Sequence, residues 1–323
     1  MRTVKKALPV LLALALAVAG CRGSRRKVIA VIPKGTSHLF WLSVQAGAVA
    51  AGQDLGVEVL WNGPATETEY SRQIQIVDSM IARRVDGIAL AAAERKALVG
   101  VVDRAMKAGI PVTVFDSGLD SDNYTSFVAT DNYQAGRLAA RTLARLLGGK
   151  GKVAVVMHAP GSFSTMERER GFDEAVAQEF PGIQVVARQF GLSDRAKAVA
   201  ATENILTAHP DIDGLFASTE PSSTGAALAL RARNLAGKVK FVAFDSSESM
   251  IADLKAGVID AMVVQDPFRM GYEAVRTLVE KINGGNPPRR MDLPARVVSR
   301  DNLHDPEVQK LISPDLDRYL KRR

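Results

Sequence analysis

Three short strings recur in this chain, in the same order and at nearly constant separation. Lys27-Val28-Ile29-Ala30-Val31 returns as Lys152-Val153-Ala154-Val155-Val156. Val85-Asp86-Gly87-Ile88 returns as Ile212-Asp213-Gly214-Leu215, and Val114-Phe115-Asp116-Ser117 as Ala243-Phe244-Asp245-Ser246. The offsets are 125, 127 and 129 residues. One apolar string recurs by chance in any α/β protein; three in the same order point to one supersecondary plan used twice. Strands are expected at 27–32, 57–61, 87–90, 112–115, 153–157, 214–217, 240–244 and 261–265. Helical stretches alternate with them, among them 40–55, 69–83, 134–147, 166–179 and 271–283. That alternation is the signature of a parallel sheet with helices on its faces. The expected fold is α/β, in two similar lobes.

Open α/β sheets bind ligands beyond the carboxyl ends of their strands. Asp116 and Asp245 each follow a strand, one in each half, and lobes that face each other would bring both carboxylates to one cleft. A carboxylate accepts hydrogen bonds from neighbouring hydroxyls, so such a pair suits a polyhydroxylated ligand. The alternative for each aspartate is a helix N-cap after its strand. Little else invites chemistry. The four histidines (38, 158, 209 and 304) have no zinc-site spacing, and no cysteine is placed to complete one. His158 reads only as a residue after a strand. Gly161-Ser162-Phe163-Ser164 reads as a polar loop and not a nucleophile elbow. Gly148-Gly149-Lys150-Gly151-Lys152 precedes a strand instead of linking strand to helix, so it is a surface turn and not a phosphate cradle. No cofactor, metal or catalytic residue is expected.

The amino-terminal segment speaks to compartment. Arg2, Lys5 and Lys6 precede an apolar run from Ala7 to Val18, closed by Val18-Ala19-Gly20-Cys21. This is the layout of a secretory signal peptide, too short for an ordinary spanning helix. Cys21, the only cysteine, stands where a lipobox places its lipidated residue, so no internal disulfide is available. The net charge of +7 is concentrated at the two ends, in the signal and in Lys321-Arg322-Arg323. No basic module of the kind that binds nucleic acid stands out. A hydrophobic fraction of 47% supports globular cores.

From Lys27 to Asn302 the chain resembles the periplasmic sugar-binding proteins of the ribose-binding type. The carriers are His38-Leu39-Phe40-Trp41, Phe115-Asp116, Thr130-Asp131-Asn132, Arg168 with Gly171-Phe172, Thr207-Ala208-His209-Pro210-Asp211, Phe244-Asp245 and Gln265-Asp266-Pro267. The resemblance implies a type I periplasmic-binding fold whose lobes are joined by a three-segment hinge. Ahead of it, the amino-terminal layout gives a signal peptide over residues 1–20 and a lipidated linker over 21–26. The N-terminal lobe would comprise 27–130 plus 266–294 and the C-terminal lobe 131–265 plus 295–302, leaving 303–323 as a surface helix or frayed tail. Repressors with the same lobes carry a helix-turn-helix ahead of the first strand, and that module is not expected here.

The resemblance nominates Phe40, Trp41 and Asp116 in the first lobe, Arg168 and Asp245 in the second, and Gln265 at a crossing. Aromatics can stack on a sugar ring while polar groups take its hydroxyls; of the two, Trp41 is expected to be the more buried. Arg168 would supply a fork of donors. Four further nominees mark departures from the ribose pattern. His38 replaces an asparagine, Ser117 an arginine, and Thr219 an asparagine, with Glu220 beside it. These changes weaken the case for ribose itself and leave another pentose, a hexose, a sugar alcohol or a related metabolite open. The implied function is hinge closure on a monosaccharide or small polyol. A monomer, held to the membrane through its lipid, would deliver the ligand to the permease of an ATP-driven importer. A sensory protein feeding a membrane receptor or sensor kinase is the alternative, and an enzyme acting on a sugar a more distant third.

Overall fold

In a computed structural model the structure describes residues 25–320, and Cys21 and the signal segment lie outside them. Two six-stranded sheets form two lobes. The first has the order β11-β5-β4-β3-β1-β2, where β1 is Val28–Ile32, β2 Glu58–Trp61, β3 Gly87–Leu90, β4 Val112–Phe115, β5 Ser126–Thr130 and β11 Arg290–Leu293. The second has the order β12-β10-β9-β8-β6-β7, where β6 is Lys150–Met157, β7 Gly182–Phe190, β8 Gly214–Ala217, β9 Lys240–Phe244, β10 Ala261–Val264 and β12 Arg296–Val298. The orders match strand for strand. Every pairing is parallel except β10 with β12. Central strands such as Val-Ile-Ala-Val-Ile are apolar on both faces because helices cover both faces.

The register corrects one reading of the repeat. Ile29 pairs with Gly87 in the first sheet, and Val153 with Gly214 in the second. Ile29 and Val153 are therefore equivalent, an offset of 124 and not 125 for this string. The other two strings match as read: Gly87 with Gly214, and Val114 with Ala243.

Helices α1 (Leu39–Asp54), α2 (Tyr70–Ala82) and α3 (Val99–Lys107) flank the first sheet. The chain then crosses between lobes at 130–132. Here Asp131 accepts the Gln134 N–H (3.0 Å) and so caps α4 (Asn132–Leu146), which packs against β9 and β10 of the second lobe. Helices α5 (Phe163–Glu179), α6 (Arg195–Ala208), α7 (Glu220–Ala232) and α8 (Glu248–Ala256) complete that lobe. The chain returns at 265–267, where Asp266 accepts the Arg269 N–H (3.0 Å) and Pro267 opens α9 (Pro267–Ile282) against β3 and β4. A third crossing separates β11 from β12. The Asp that recurs at the first two crossings is the cap that starts the exchanged helix.

Over residues 303–320 the carboxy-terminal segment is not a frayed tail. Short helices α10 (Pro306–Ile312) and α11 (Asp317–Leu320) follow β12, and Leu303, Val308 and Ile312 are buried in the second lobe's core.

Candidate functional site

The carboxyl ends of the two sheets face one another, and equivalent strands deliver equivalent residues. Five positions beyond the matched Ile29 and Val153, β1 leads to Lys34 and β6 to His158. Strands β4 and β9 lead to Asp116 and Asp245, each after a fully buried phenylalanine, Phe115 or Phe244. Both aspartates adopt left-handed backbone, at φ 57° and 69°. Among non-glycine residues, aspartate tolerates that region well. Neither caps a helix that follows it. The helix after Asp245 is capped by Ser247, which accepts the Met250 N–H (3.3 Å). Asp245 instead reaches sideways, accepting the Glu220 N–H (3.0 Å) at the start of α7 and the Gln265 Nε2–H (2.7 Å). Gln265 in turn accepts from Thr130 Oγ1 (2.7 Å), so the two crossings and the second-lobe aspartate form one network.

In the first lobe a buried cation organises the site. Lys34 Nζ lies 2.9 Å from Asp116 Oδ2 and 3.7 Å from Glu67 Oε2, and 5.7 Å from the centroid of the Trp41 ring. Burial opposes its charge, but the two carboxylates prevail and raise its pKa. Burial likewise works against the Glu67 charge. Lys34, His158, His38 and the Trp41 Nε1–H (2.9 Å) overcome it and hold the carboxyl at about 2. Asp116 and Asp245 are both pushed upward by burial. Trp41 is core, 1% exposed, and meets Phe40 edge-on at 4.9 Å and Phe115 at 6.4 Å.

In the second lobe Arg168, 2% exposed, lies flat over Phe244, its guanidinium carbon 3.5 Å from the ring centroid. It donates to Asn132 Oδ1 (2.7 Å from Nη2) and to the Ser218 carbonyl. Burial lowers its pKa against the pull of Asp245 and Asp116. Phe115 and Phe244 thus occupy matched positions, one meeting Trp41 edge-on and the other lying beneath Arg168. Glu220 is anchored by Arg195 (2.6 Å) and Thr224 (3.1 Å) through Oε1.

Contacts across the cleft show the lobes closed. Lys34 donates to Ser164 Oγ (3.2 Å) and Ser162 Oγ (3.4 Å), the Ser164 N–H donates to Ser117 Oγ (3.2 Å), and His38 Nδ1 stands 3.4 Å from Glu220 Oε2. His158 Nε2 stands 3.4 Å from Glu67 Oε2; burial depresses this imidazole to about 4 and keeps it neutral at physiological pH. Residues of both lobes line one space here, about 340 Å³ with the open solvent at its mouth included. Three buried atoms of the site lack a hydrogen-bond partner: Asp116 Oδ2 and Glu220 Oε2, which keep only their ionic contacts with Lys34 and His38, and His158 Nδ1. Such orphans are costly unless a bound group or water satisfies them.

Of the ten nominated residues, His38, Phe40, Trp41, Asp116, Arg168, Thr219, Glu220, Asp245 and Gln265 line this space. Ser117 does not; its hydroxyl holds the backbone of the opposite lobe. Lys34, Glu67, Ser164 and Thr165 line the space without having been nominated. His158 and the 161–164 segment, read as inert, are part of the contact between lobes. Lys34 and His158 would have emerged as a pair from the 124-residue offset. Glu67 sits among threonines and acids in a loop and carries no sequence signal.

The periplasmic binding protein domain model matches residues 29–286. The D-ribose/D-allose-binding protein of Pseudomonas aeruginosa is 30% identical over 272 residues, covering 82% of this chain and 85% of that protein. The ribose import binding protein of Bacillus subtilis is 29% identical over 259 residues, covering 80% and 82%. Among solved structures, a carbohydrate-transporter solute-binding protein from Agrobacterium radiobacter in complex with D-arabinose superposes with a TM-score of 0.87. It shares 35% identity and covers 90% of this chain and 99% of its own. A solute-binding protein of an ABC transporter from Agrobacterium vitis, bound with alpha-D-tagatopyranose, superposes at 0.86 with 31% identity, covering 89% and 99%.

Proposed function

The chain belongs to the periplasmic binding protein family, ribose-binding type, and from that membership we propose that it captures a monosaccharide or similar small polyol for an ATP-driven importer. It binds and does not catalyse, as its relatives do. The observation that carries the reading is the delivery of Asp116 and Asp245 from equivalent strand ends of opposite lobes into one closed cleft. Carboxylates there accept from ligand hydroxyls, Arg168 and Lys34 donate, and Phe40 and Trp41 offer ring faces. Relatives named for D-ribose, D-allose, D-arabinose and tagatose favour a five- or six-carbon sugar. The cation absent at Ser117 is supplied beside Asp116 by Lys34, which alters the donor pattern and argues against ribose as the preferred ligand.

Binding proceeds by hinge closure over the three crossings. The closed lobes present a composite surface to the permease, and the lipid on Cys21 holds the protein near it. A bacterial lipoprotein cysteine with more than one acyl chain gives the two signals that stable anchoring takes.

A thermal-shift screen of the mature protein against pentoses, hexoses and sugar alcohols tests the assignment. A ligand at a hundred times its Kd adds about 2.7 kcal/mol to stability. One sugar is expected to raise the melting temperature, and Asp116→Ala or Asp245→Ala to abolish the shift. A folded, ligand-free protein that no sugar in the panel shifts would overturn the assignment.

A further inference from the structure

The segment after β12 does something the two-lobe plan does not require. Leu303, Val308 and Ile312 are seated in the core of the C-terminal lobe beside Val264 and Val298. Seven residues beyond Ile312, the Tyr319 ring rests against Phe268, centroids 5.4 Å apart, and α11 packs on α1. Phe268 and α1 belong to the N-terminal lobe. The segment therefore leaves the core of one lobe and ends on the surface of the other, a fourth connection closed by side chains alone. At the first anchor, Leu311, Ile312 and Pro314 wall one side of a space of about 310 Å³, open solvent included. The opposite wall includes Phe40, Asp245 and Gln265, which also line the ligand cleft.

We propose that residues 303–320 are a strap that holds the lobes closed and seals the flank of the ligand site beside Phe40, Asp245 and Gln265. Opening must break one anchor. Ile312 is 3% exposed in a core, whereas Tyr319 and Phe268 are half-buried, so the Tyr319 contact yields first. A strap that favours closure raises the closed fraction of the unliganded protein, and apparent affinity scales with that fraction. An aromatic pair of this kind changes an equilibrium constant by about two- to tenfold. Affinity depends on the sugar-binding reading above; the effect on lobe opening does not.

Two variants separate these consequences: a chain ending at Ser313, which keeps Leu303, Val308 and Ile312, and full-length Tyr319→Ala. Small-angle scattering of the ligand-free proteins is expected to give a larger radius of gyration for both variants than for the intact chain. With D-arabinose as the probe in stopped flow, dissociation should accelerate about two- to tenfold with little change in melting temperature. Unchanged scattering in both variants, or slower dissociation, would overturn the strap. If the intact chain binds neither D-arabinose nor any other sugar, the sugar reading fails, and scattering alone decides this proposal.

Discussion

Gly136→Ala should damage the ligand site from a distance, because the backbone of α5 at Arg168 lies directly on Gly136. A methyl built at Gly136 would stand 1.8 Å from the Arg168 carbonyl oxygen and 2.9 Å from Phe172 N, where real contacts stay beyond 3.0 Å. The helices must part by at least 1.2 Å at that point. Gly171 makes the reciprocal contact with Tyr133 O, at 2.1 Å from its imagined methyl, so α4 and α5 have no slack on either side. Overpacking of this kind costs about 1–3 kcal/mol, or roughly 2–10 °C in melting temperature. The movement is transmitted to Arg168, whose bonds to Asn132 (on α4) and Ser218 fix its guanidinium over Phe244. A charge-assisted hydrogen bond is worth about 1.5–3 kcal/mol, so losing one should weaken sugar binding roughly ten- to hundredfold. Differential scanning calorimetry and titration calorimetry read the two effects. Gly100→Ala, in the first turn of α3, is the control: its methyl meets only Arg104 Nη1, at 3.8 Å, so the substitution should not destabilise. If Gly136→Ala likewise does not destabilise, or lowers the melting temperature while leaving affinity intact, the coupling of this crossing to Arg168 is refuted.

Two more perturbations probe the buried charges. Lys34→Met strands Asp116 and Glu67 without their cation, at a cost of about 3–5 kcal/mol in urea denaturation. Adding Asp116→Asn should return part of that loss, and strict additivity of the two substitutions would show that the ion pair is not coupled. Burial lifts Glu169 to about 7, although it accepts from the His158 N–H and Ser218 Oγ. Because its folded pKa lies above the unfolded value, its contribution is fully favourable below about pH 4.5 and is lost as pH rises through 7. Glu169→Gln should therefore stabilise the protein at pH 8.5, by at most about 3 kcal/mol, and have little effect near pH 4.5; an equal effect at both would contradict the assignment.

What the sequence disclosed and what it concealed follow from how distinctive each string is. Phe-Asp-Ser at 115–117 and 244–246 contains one charged residue between landmarks, so its equivalence can be read without coordinates. The first strand of each half is a run of valine, isoleucine and alanine, and sliding one run past the other by a residue leaves the hydrophobic match intact. Only hydrogen-bonded register fixes the offset at 124. That single step separates two unrelated residues from a matched pair, Lys34 and His158, at the base of the cleft. Edge strands β11 and β12 were equally hidden, because charged residues such as Arg290, Asp292 and Arg296 interrupt strands buried on one side only. Asp131 and Asp266 were visible at the crossings, yet sequence could not reveal that each caps a helix given to the other lobe.

The matched skeleton also explains why fold was easier to read than ligand. Duplication places a residue from each lobe at every equivalent strand end, and where the two agree, as at Asp116 and Asp245, the pair marks the cleft. Where they differ, the site acquires its character. At one strand end a lysine keeps its charge because two carboxylates face it; at the equivalent end a histidine loses its charge to burial. Just before the aspartates, one phenylalanine meets a tryptophan edge-on and the other lies beneath an arginine. Repetition thus determines where a ligand sits, and departures from repetition determine which hydroxyls it must offer. The residues a repeat-based reading is least able to nominate are consequently those with no counterpart at a strand end, and Glu67 is the example.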